Sequence, residues 1–305
     1  MKVEACPVCK SRDHEQKYPT QNIDGADYQI VKCSRCGHFF TYFFSAVEVG
    51  KYYDEGDYSV RDNRSTIFHK IQVVEYKKVL DNLKEFTDRR DLLDFGSGKG
   101  VFLSVARENG YKVAGVETSK PRADYARQVM GLQIDSGFFE GGSVFNKKFS
   151  VVTMFHVLEH IEDAGVLLKA LFKDNLEQGG FAVIEVPNFG SWQSAWAKGR
   201  WLHIDIPRHV SHFTEGSLQL LIRDCGLQVV KKETFSLHLG IIGMAQTILS
   251  FFGYKGFLIA DIKEKKTILL IATLLVAPLA FLLEWLGSIS GKGGVLRYYL
   301  KEEKR

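Results

Sequence analysis

The stretch Asp91-Leu-Leu-Asp94-Phe-Gly96-Ser-Gly98-Lys-Gly100 decides the fold. It is a strand running into a glycine turn and then a helix. Glycines there let a backbone approach a ligand closely, and the helix N-terminus beyond favours negative charge. Dinucleotide folds share such a turn, so two further features discriminate. Asp94 lies just inside the turn, where it would repel a pyrophosphate but suits an ammonium or amino-acid group. The next strand ends in Val-Ala-Gly-Val-Glu117, which puts a carboxylate where ribose hydroxyls can be bound.

Outward from this turn, strand and helix signals alternate from about 91 to 234. The strand candidates are Asp91–Phe95, Lys112–Glu117, Phe149–Phe155, Phe181–Val186 and Leu227–Thr234. Ala164–Leu176 reads as a helix with Leu167, Leu168, Leu171 and Phe172 on one apolar face. Before the turn, Ile67, Ile71, Val74, Lys78 and Leu83 fall at helical spacing. Strands alternating with helices predict a doubly wound α/β fold around a mostly parallel sheet. Val295–Leu300 is a further strand signal near the C-terminal end.

Three motifs in order carry a resemblance: LLDFGSGKG, VAGVETS and FSVVTMFHVLEHIED. Together they resemble the class I S-adenosylmethionine-dependent methyltransferases of the small-molecule branch, over about 91–235. The resemblance implies a Rossmann-like seven-stranded sheet ending in the 295–300 strand. It implies that Asp94, Gly96, Ser97, Gly98, Gly100, Glu117, Thr118 and His156 surround S-adenosylmethionine. An acidic residue after the third strand often contacts adenine in this family. Here Phe138 stands at that position in IDSGFFE, with Asp135 as the alternative. The implied partition is a zinc ribbon over 1–45 and a helical linker or cap over 46–90. The methyltransferase domain then covers 91–305, with an apolar helical insertion at about 236–290. A ribbon, an aromatic run, a KYYDEGDY segment (51–58) and this core also resemble a bacterial arrangement tied to envelope saccharide or lipid modification.

Cys6-Pro-Val-Cys9 and Cys33-Ser-Arg-Cys36 form two C-x-x-C knuckles. Tetrahedral thiolate coordination by Cys6, Cys9, Cys33 and Cys36 fits one structural zinc. Two disulfides or a redox pair are the alternatives. Four sulfur ligands close such a site, so its metal does no chemistry. Cys225 reads as a buried thiol acting as a small hydrophobe.

Of nine histidines, five fall in two stretches, His156–His160 and His203–His212. Both follow strands at the carboxyl edge of the expected sheet. Glu159, His160 and His209 are the catalytic candidates, in two ways. A histidine can act as general base toward an acceptor hydroxyl. Alternatively, the three bind a catalytic Mg or Mn ion that lowers the hydroxyl's pKa. The spacing resembles the metal site of small-RNA 2′-O-methyltransferases, with His156 replacing its first Glu. A purely structural role for these loops is the third reading.

Residues 239–254 and 267–283 carry no charge, each a little short of the ~20 residues of a spanning helix. A following strand in the soluble sheet excludes a single span. The expectation is a monotopic contact through 239–286, with Lys255, Lys263, Lys265 and Lys266 meeting anionic headgroups. A soluble lid or a homodimer interface is the alternative. MKVEACPVCK lacks an apolar core of signal-peptide length, so the expected location is cytoplasmic, at the inner face of the membrane.

Composition narrows the function. The chain has 305 residues, 45% hydrophobic and 25% charged, which excludes a disordered polymer. A net charge of +4, from 40 Lys+Arg against 36 Asp+Glu, disfavours nucleic acid as a partner. The resulting expectation is methyl transfer to an oxygen, second a carbon, of a lipid-linked, quinone-like or saccharide acceptor. A non-catalytic cofactor-binding scaffold and an RNA methyltransferase guided by the ribbon are the competing classes.

Overall fold

The structure is a computed structural model that describes residues 4–23, 25–47, 60, 62–263 and 266–302. The 51–58 segment, Glu264 and Lys265 lie outside the described residues. Four short strands come first: β1 (His14–Gln16), β2 (Gln21–Ile23), β3 (Ala26–Cys33) and β4 (Phe39–Phe43). Helix α1 (Ile67–Lys84) leads into β5 (Asp91–Phe95), α2 (Val101–Glu108), β6 (Lys112–Val116), α3 (Lys120–Gln128) and β7 (Ile134–Asp135). Next come β8 (Phe149–Phe155), α4 (Ala164–Asn175), β9 (Leu176–Pro187), α5 (Trp192–Ala197), β10 (Ser211–His212) and α6 (Glu215–Asp224). The described chain closes with β11 (Leu227–Glu233), α7 (Leu239–Phe251), α8 (Leu258–Lys263), α9 (Thr267–Ile289) and β12 (Val295–Glu302).

Compactness divides the chain into two units, each discontinuous in sequence. One joins Met1–Val49, Val186–Leu218 and Glu233–Leu296. The other joins Gly50–Glu185, Gln219–Lys232 and Arg297–Arg305.

The second unit holds most of a seven-stranded sheet in the order β11-β12-β9-β8-β5-β6-β7. The pairs β5–β6, β5–β8, β6–β7 and β8–β9 are parallel. Parallel strands are covered on both faces, so they read as continuous apolar runs. Leu92, Leu93, Val151, Val152, Val183 and Ile184 are accordingly buried. The strand order reverses between β5 and β8, which makes a topological switch point at their carboxyl ends. The Gly96–Gly100 turn follows β5 and His156 follows β8, so both lie at that point.

Helix α1 forms where its periodicity predicts, with Thr66 as N-cap accepting from the His69 N–H at 3.2 Å. Its inward face is not the expected one. Glu75, Val79, Asn82 and Leu83 are buried, while Ile67 and Val74 are exposed. Two polar residues are drawn inward because β12 supplies partners. Glu75 accepts from Arg297 Nη2 at 2.6 Å, and Asn82 Nδ2 donates to the Tyr299 hydroxyl at 2.8 Å.

The first unit contains an antiparallel sheet in the order β1-β3-β4-β10, with β2 also on β3. Strand β10, two residues from the segment after β9, pairs Ser211 with Phe40. In the same unit α7 and α9 pack through Met244, Ala245, Ile248 and Ala280. A polar node pins them: Gln193 Nε2 donates to Glu284 Oε2 at 2.7 Å and to the Gly240 carbonyl at 3.0 Å. The Gly294 N–H donates to the other Glu284 oxygen at 2.7 Å. A Cβ at Gly240 would collide with Glu284, so glycine is required for this approach.

Candidate active site

The glycine turn is built from positive-φ residues: Gly96 at 79°, Gly98 at 56° and Gly100 at 78°. Packing explains two of them. A Cβ on Gly96 would run into Val157, and one on Gly100 into Leu132. At Gly98 an added Cβ would meet no atom within 4 Å. That open space, beside a turn with backbone N–H groups, suits close approach by a ligand. The N–H groups of Gly98 and Ser119 donate to the two oxygens of Glu117, each at 2.7 Å. Thus the turn after β5 is tied to the end of β6. The Ser97 hydroxyl is buried without a hydrogen-bond partner, and Thr118 is exposed. A buried orphan hydroxyl and an uncluttered glycine are the fit expected of a cradle for a bound group.

Asp94 is buried and accepts from the Thr153 hydroxyl at 2.7 Å. Burial pushes its carboxyl up to about 7; the Thr153 bond opposes this and the charge of Glu117 adds to it. Such a carboxylate is a receptor for a cation, since a positive ligand restores what burial removes.

His156 has φ +55°, a conformation that costs energy in a non-glycine residue and marks a constrained site. Glu185 holds it there. The His156 N–H donates to the Glu185 carbonyl at 2.9 Å and Nε2 donates to Glu185 Oε1 at 2.8 Å. Its Nδ1 lies 3.3 Å from Glu159 Oε1. Burial alone would depress the imidazole pKa, but the carboxylates of Glu159 and Glu185 outweigh it and raise it to about 10. At neutral pH His156 is therefore an imidazolium and cannot accept a proton. Arg297 completes the array through Nε to Glu185 and Nη2 to Glu75.

Glu159 is thus buried against His156, and His160 follows it in a short 3₁₀ turn, its N–H bonded to the Val157 carbonyl at 3.0 Å. His209 belongs to the other unit. Its Nδ1 bonds to the His203 carbonyl at 2.8 Å. A carbonyl only accepts, so Nδ1 is the donor of that bond. Phe138 is 87% exposed and Asp135 is exposed as well.

Sequence reasoning did not select Glu75, Thr153, Glu185 or Arg297. A signal existed in two of them: Glu185 sits in the apolar run AVIEVP and Arg297 in VLRYYL. Charged residues are almost never fully buried unless paired, so each implied a partner.

The cysteines converge in the first unit. The four Sγ atoms lie within 4.8 Å of one another, with Cys6–Cys36 at 3.6 Å and Cys9–Cys33 at 3.5 Å. A tetrahedron of thiolates at a Zn–S distance of about 2.3 Å has an edge of about 3.8 Å, so the set fits. Both knuckles close alike: the Lys10 N–H donates to the Cys6 carbonyl and the Gly37 N–H to that of Cys33, each at 2.9 Å. Lys10 and Gly37 both take positive φ.

A seven-stranded sheet parallel from β9 to β7, with a ligand-ready glycine turn, an acidic second-strand end and a buried cation-receptive Asp94, defines an S-adenosylmethionine-dependent methyltransferase domain. Residues 65–232, more than half of the chain, match the model of the methyltransferase domain family, and the chain belongs to that family. The C-methyltransferase NovU of Streptomyces niveus is 26% identical over 220 residues, 70% of this chain and 49% of the relative. The chain thus spans about half the length of that curated relative. Among solved structures, a Galdieria sulphuraria protein provisionally named a sarcosine dimethylglycine methyltransferase superposes with a TM-score of 0.51. Its identity is 14%, over 77% of this chain and 85% of that one. A chain of the Haloferax volcanii complex between the Trm112 methyltransferase activator and a provisionally assigned methyltransferase gives 0.50 at 14%, covering 81% and 100%. At these identities the likeness is one of fold.

Proposed function

We propose that the protein transfers the methyl group of S-adenosylmethionine to an oxygen of a lipid-linked, quinone-like or saccharide acceptor. S-adenosylmethionine, when bound, supplies an electrophilic methyl group on a sulfonium. Gly96, Ser97, Gly98, Gly100, Glu117 and Thr118 would hold its nucleoside part. Asp94 would hold the cationic amino-acid end, and His156 would keep the neighbouring loop in register. The observation that carries the reading is the buried, cation-receptive Asp94 beside a turn whose Gly98 faces open space and whose Ser97 hydroxyl is buried without a hydrogen-bond partner. His156, an imidazolium, cannot serve as a general base there. Catalysis rests on positioning of the acceptor in line with the methyl group.

A carbon acceptor is the second reading, favoured by the C-methyltransferase relative. We further propose that Cys6, Cys9, Cys33 and Cys36 hold one structural zinc.

The test is incubation of the full chain with methyl-labelled S-adenosylmethionine and extracts of membranes and saccharides, followed by NMR of the labelled product. A methoxy resonance supports oxygen and a C-methyl resonance supports carbon. Asp94→Asn should weaken S-adenosylmethionine binding by about tenfold or more, as read by calorimetry. Unaltered affinity in that variant would refute the role given to Asp94. Added Mg or Mn should leave the rate unchanged under this reading; an absolute requirement would point to a catalytic cation instead.

A further inference from the structure

We propose that the exposed faces of α9 and of the α7 end form an in-plane docking surface for an anionic lipid bilayer. Helix α9 is long and apolar enough to cross a membrane by length and composition, at 23 residues or about 35 Å. It is mostly unburied. Ile268 is 86% and Leu275 77% exposed, and Ile271, Leu274, Leu282 and Ile289 accompany them. With Leu270 and Leu279, also exposed, these positions sweep about half the helix circumference at 100° per residue without a charged residue. The one acid in α9, Glu284, is turned inward to Gln193 and Gly294. The other side of α9 packs on α7 through Ala280 and its neighbours, so lipid can reach one side alone. That geometry excludes a span and suits a helix lying in the interface.

Among the described residues, exposed cations flank this surface. From Thr234 to Ala260 the sequence contains no acidic residue, nor does it from Val186 to Ile204. Asp261 is engaged by Lys266 and the Tyr254 hydroxyl. Lys198, Arg200 and Lys255 are exposed, and Arg200 Nη1 donates to the Ser250 carbonyl at the end of α7 at 3.4 Å. Phe252, 83% exposed, stands beside Phe251 at that same end. Aromatic and aliphatic side chains ringed by cations match an anionic headgroup layer above an acyl layer. A second copy of the chain is the competing occupant. A helix seated on another helix covers a stripe of about 100°, which would leave much of this face in water.

The experiment is flotation of the full chain with vesicles of phosphatidylcholine alone or with about one third phosphatidylglycerol. It needs no acceptor and no turnover, so its failure is separate from failure of the proposed reaction. The expected result is at least tenfold more protein on the anionic vesicles at low salt. Leu275→Asp and Phe252→Asp, both at exposed positions, should each lower the bound fraction about tenfold with S-adenosylmethionine affinity unchanged. Lys255→Glu should lower the anionic preference by about fivefold or more, the ratio for a lysine worth about 1 kcal/mol at such a surface. No flotation, equal recovery on both vesicles, or a water-stable dimer dissociated by Leu275→Asp would overturn the proposal.

Discussion

Replacing Arg297 by Met tests the buried charge array directly. Arg297 is 1% exposed and bridges Glu75 and Glu185, which are equally buried. Without the guanidinium two carboxylates face each other, with the His156 imidazolium as the remaining countercharge. Breaking a buried pair costs about 3–5 kcal/mol, and the loss of two partners points to the upper end. Against a total stability of about 5–15 kcal/mol this is a third or more. Urea unfolding of the full chain at pH 7, followed by far-UV circular dichroism, should show a midpoint lower by roughly 1–2 M at an m-value of about 3 kcal/mol/M. The pH dependence has a definite sign. In the intact array Arg297 and His156 outweigh burial and hold the Glu185 carboxyl below its ordinary value. Its contribution is therefore present above the unfolded pKa and lost as pH falls through the lower folded one. In Arg297→Met both carboxyls are raised, so the variant's deficit should shrink as pH is lowered toward 5. Adding Glu75→Gln should recover at least about 1 kcal/mol of the loss. Strict additivity of the two substitutions would refute the argument that the three groups act as one array.

Three further outcomes are expected. Because the buried Asp94 carboxyl titrates near 7, a cationic ligand that favours its charged form releases a proton on binding. S-adenosylmethionine affinity should rise by up to about tenfold per pH unit below 7 and then level off; calorimetry from pH 5.5 to 8.5 should find Asp94→Asn flat. Gly96→Ala should cost about 2 kcal/mol or more in thermal unfolding, from its positive φ and the Val157 collision. Gly98→Ala should cost about half as much stability and mainly weaken the cofactor, which calorimetry separates. Purified protein should carry one zinc per chain, and Cys33→Ser should lose it while Cys225→Ser keeps it, as read by elemental analysis.

The parallel strands were legible because burial on both faces leaves uninterrupted apolar runs: Asp91–Phe95 and Phe149–Phe155 form as their residues predict. The glycine turn was legible because three glycines two apart have few other uses. The face of α1 was not, since its spacing favours Ile67 and Val74 whereas Arg297, 222 positions from Glu75, draws the acid inward. No periodicity encodes a partner at that distance. Strand β10 was equally hidden, being two residues that pair because β4 offers an edge. Histidine clustering pointed to loops worth attention but could not show that His156 is an imidazolium held by Glu159 and Glu185. Only the identity of its partners does that.

The position of β12 between β9 and β11 has a consequence for how the protein is made. In the chain, 107 residues (188–294) separate the end of β9 from the start of β12. At roughly 5–20 residues per second, their synthesis takes about 5–20 s. Throughout that interval β9 presents an open edge, and β11, produced first, must take its place with a gap one strand wide. An open β-edge invites pairing with other chains. The apolar helices α7 and α9 emerge within the same interval. Nascent chains stopped before Val295 should therefore aggregate, and the sheet should close only when this inner strand arrives.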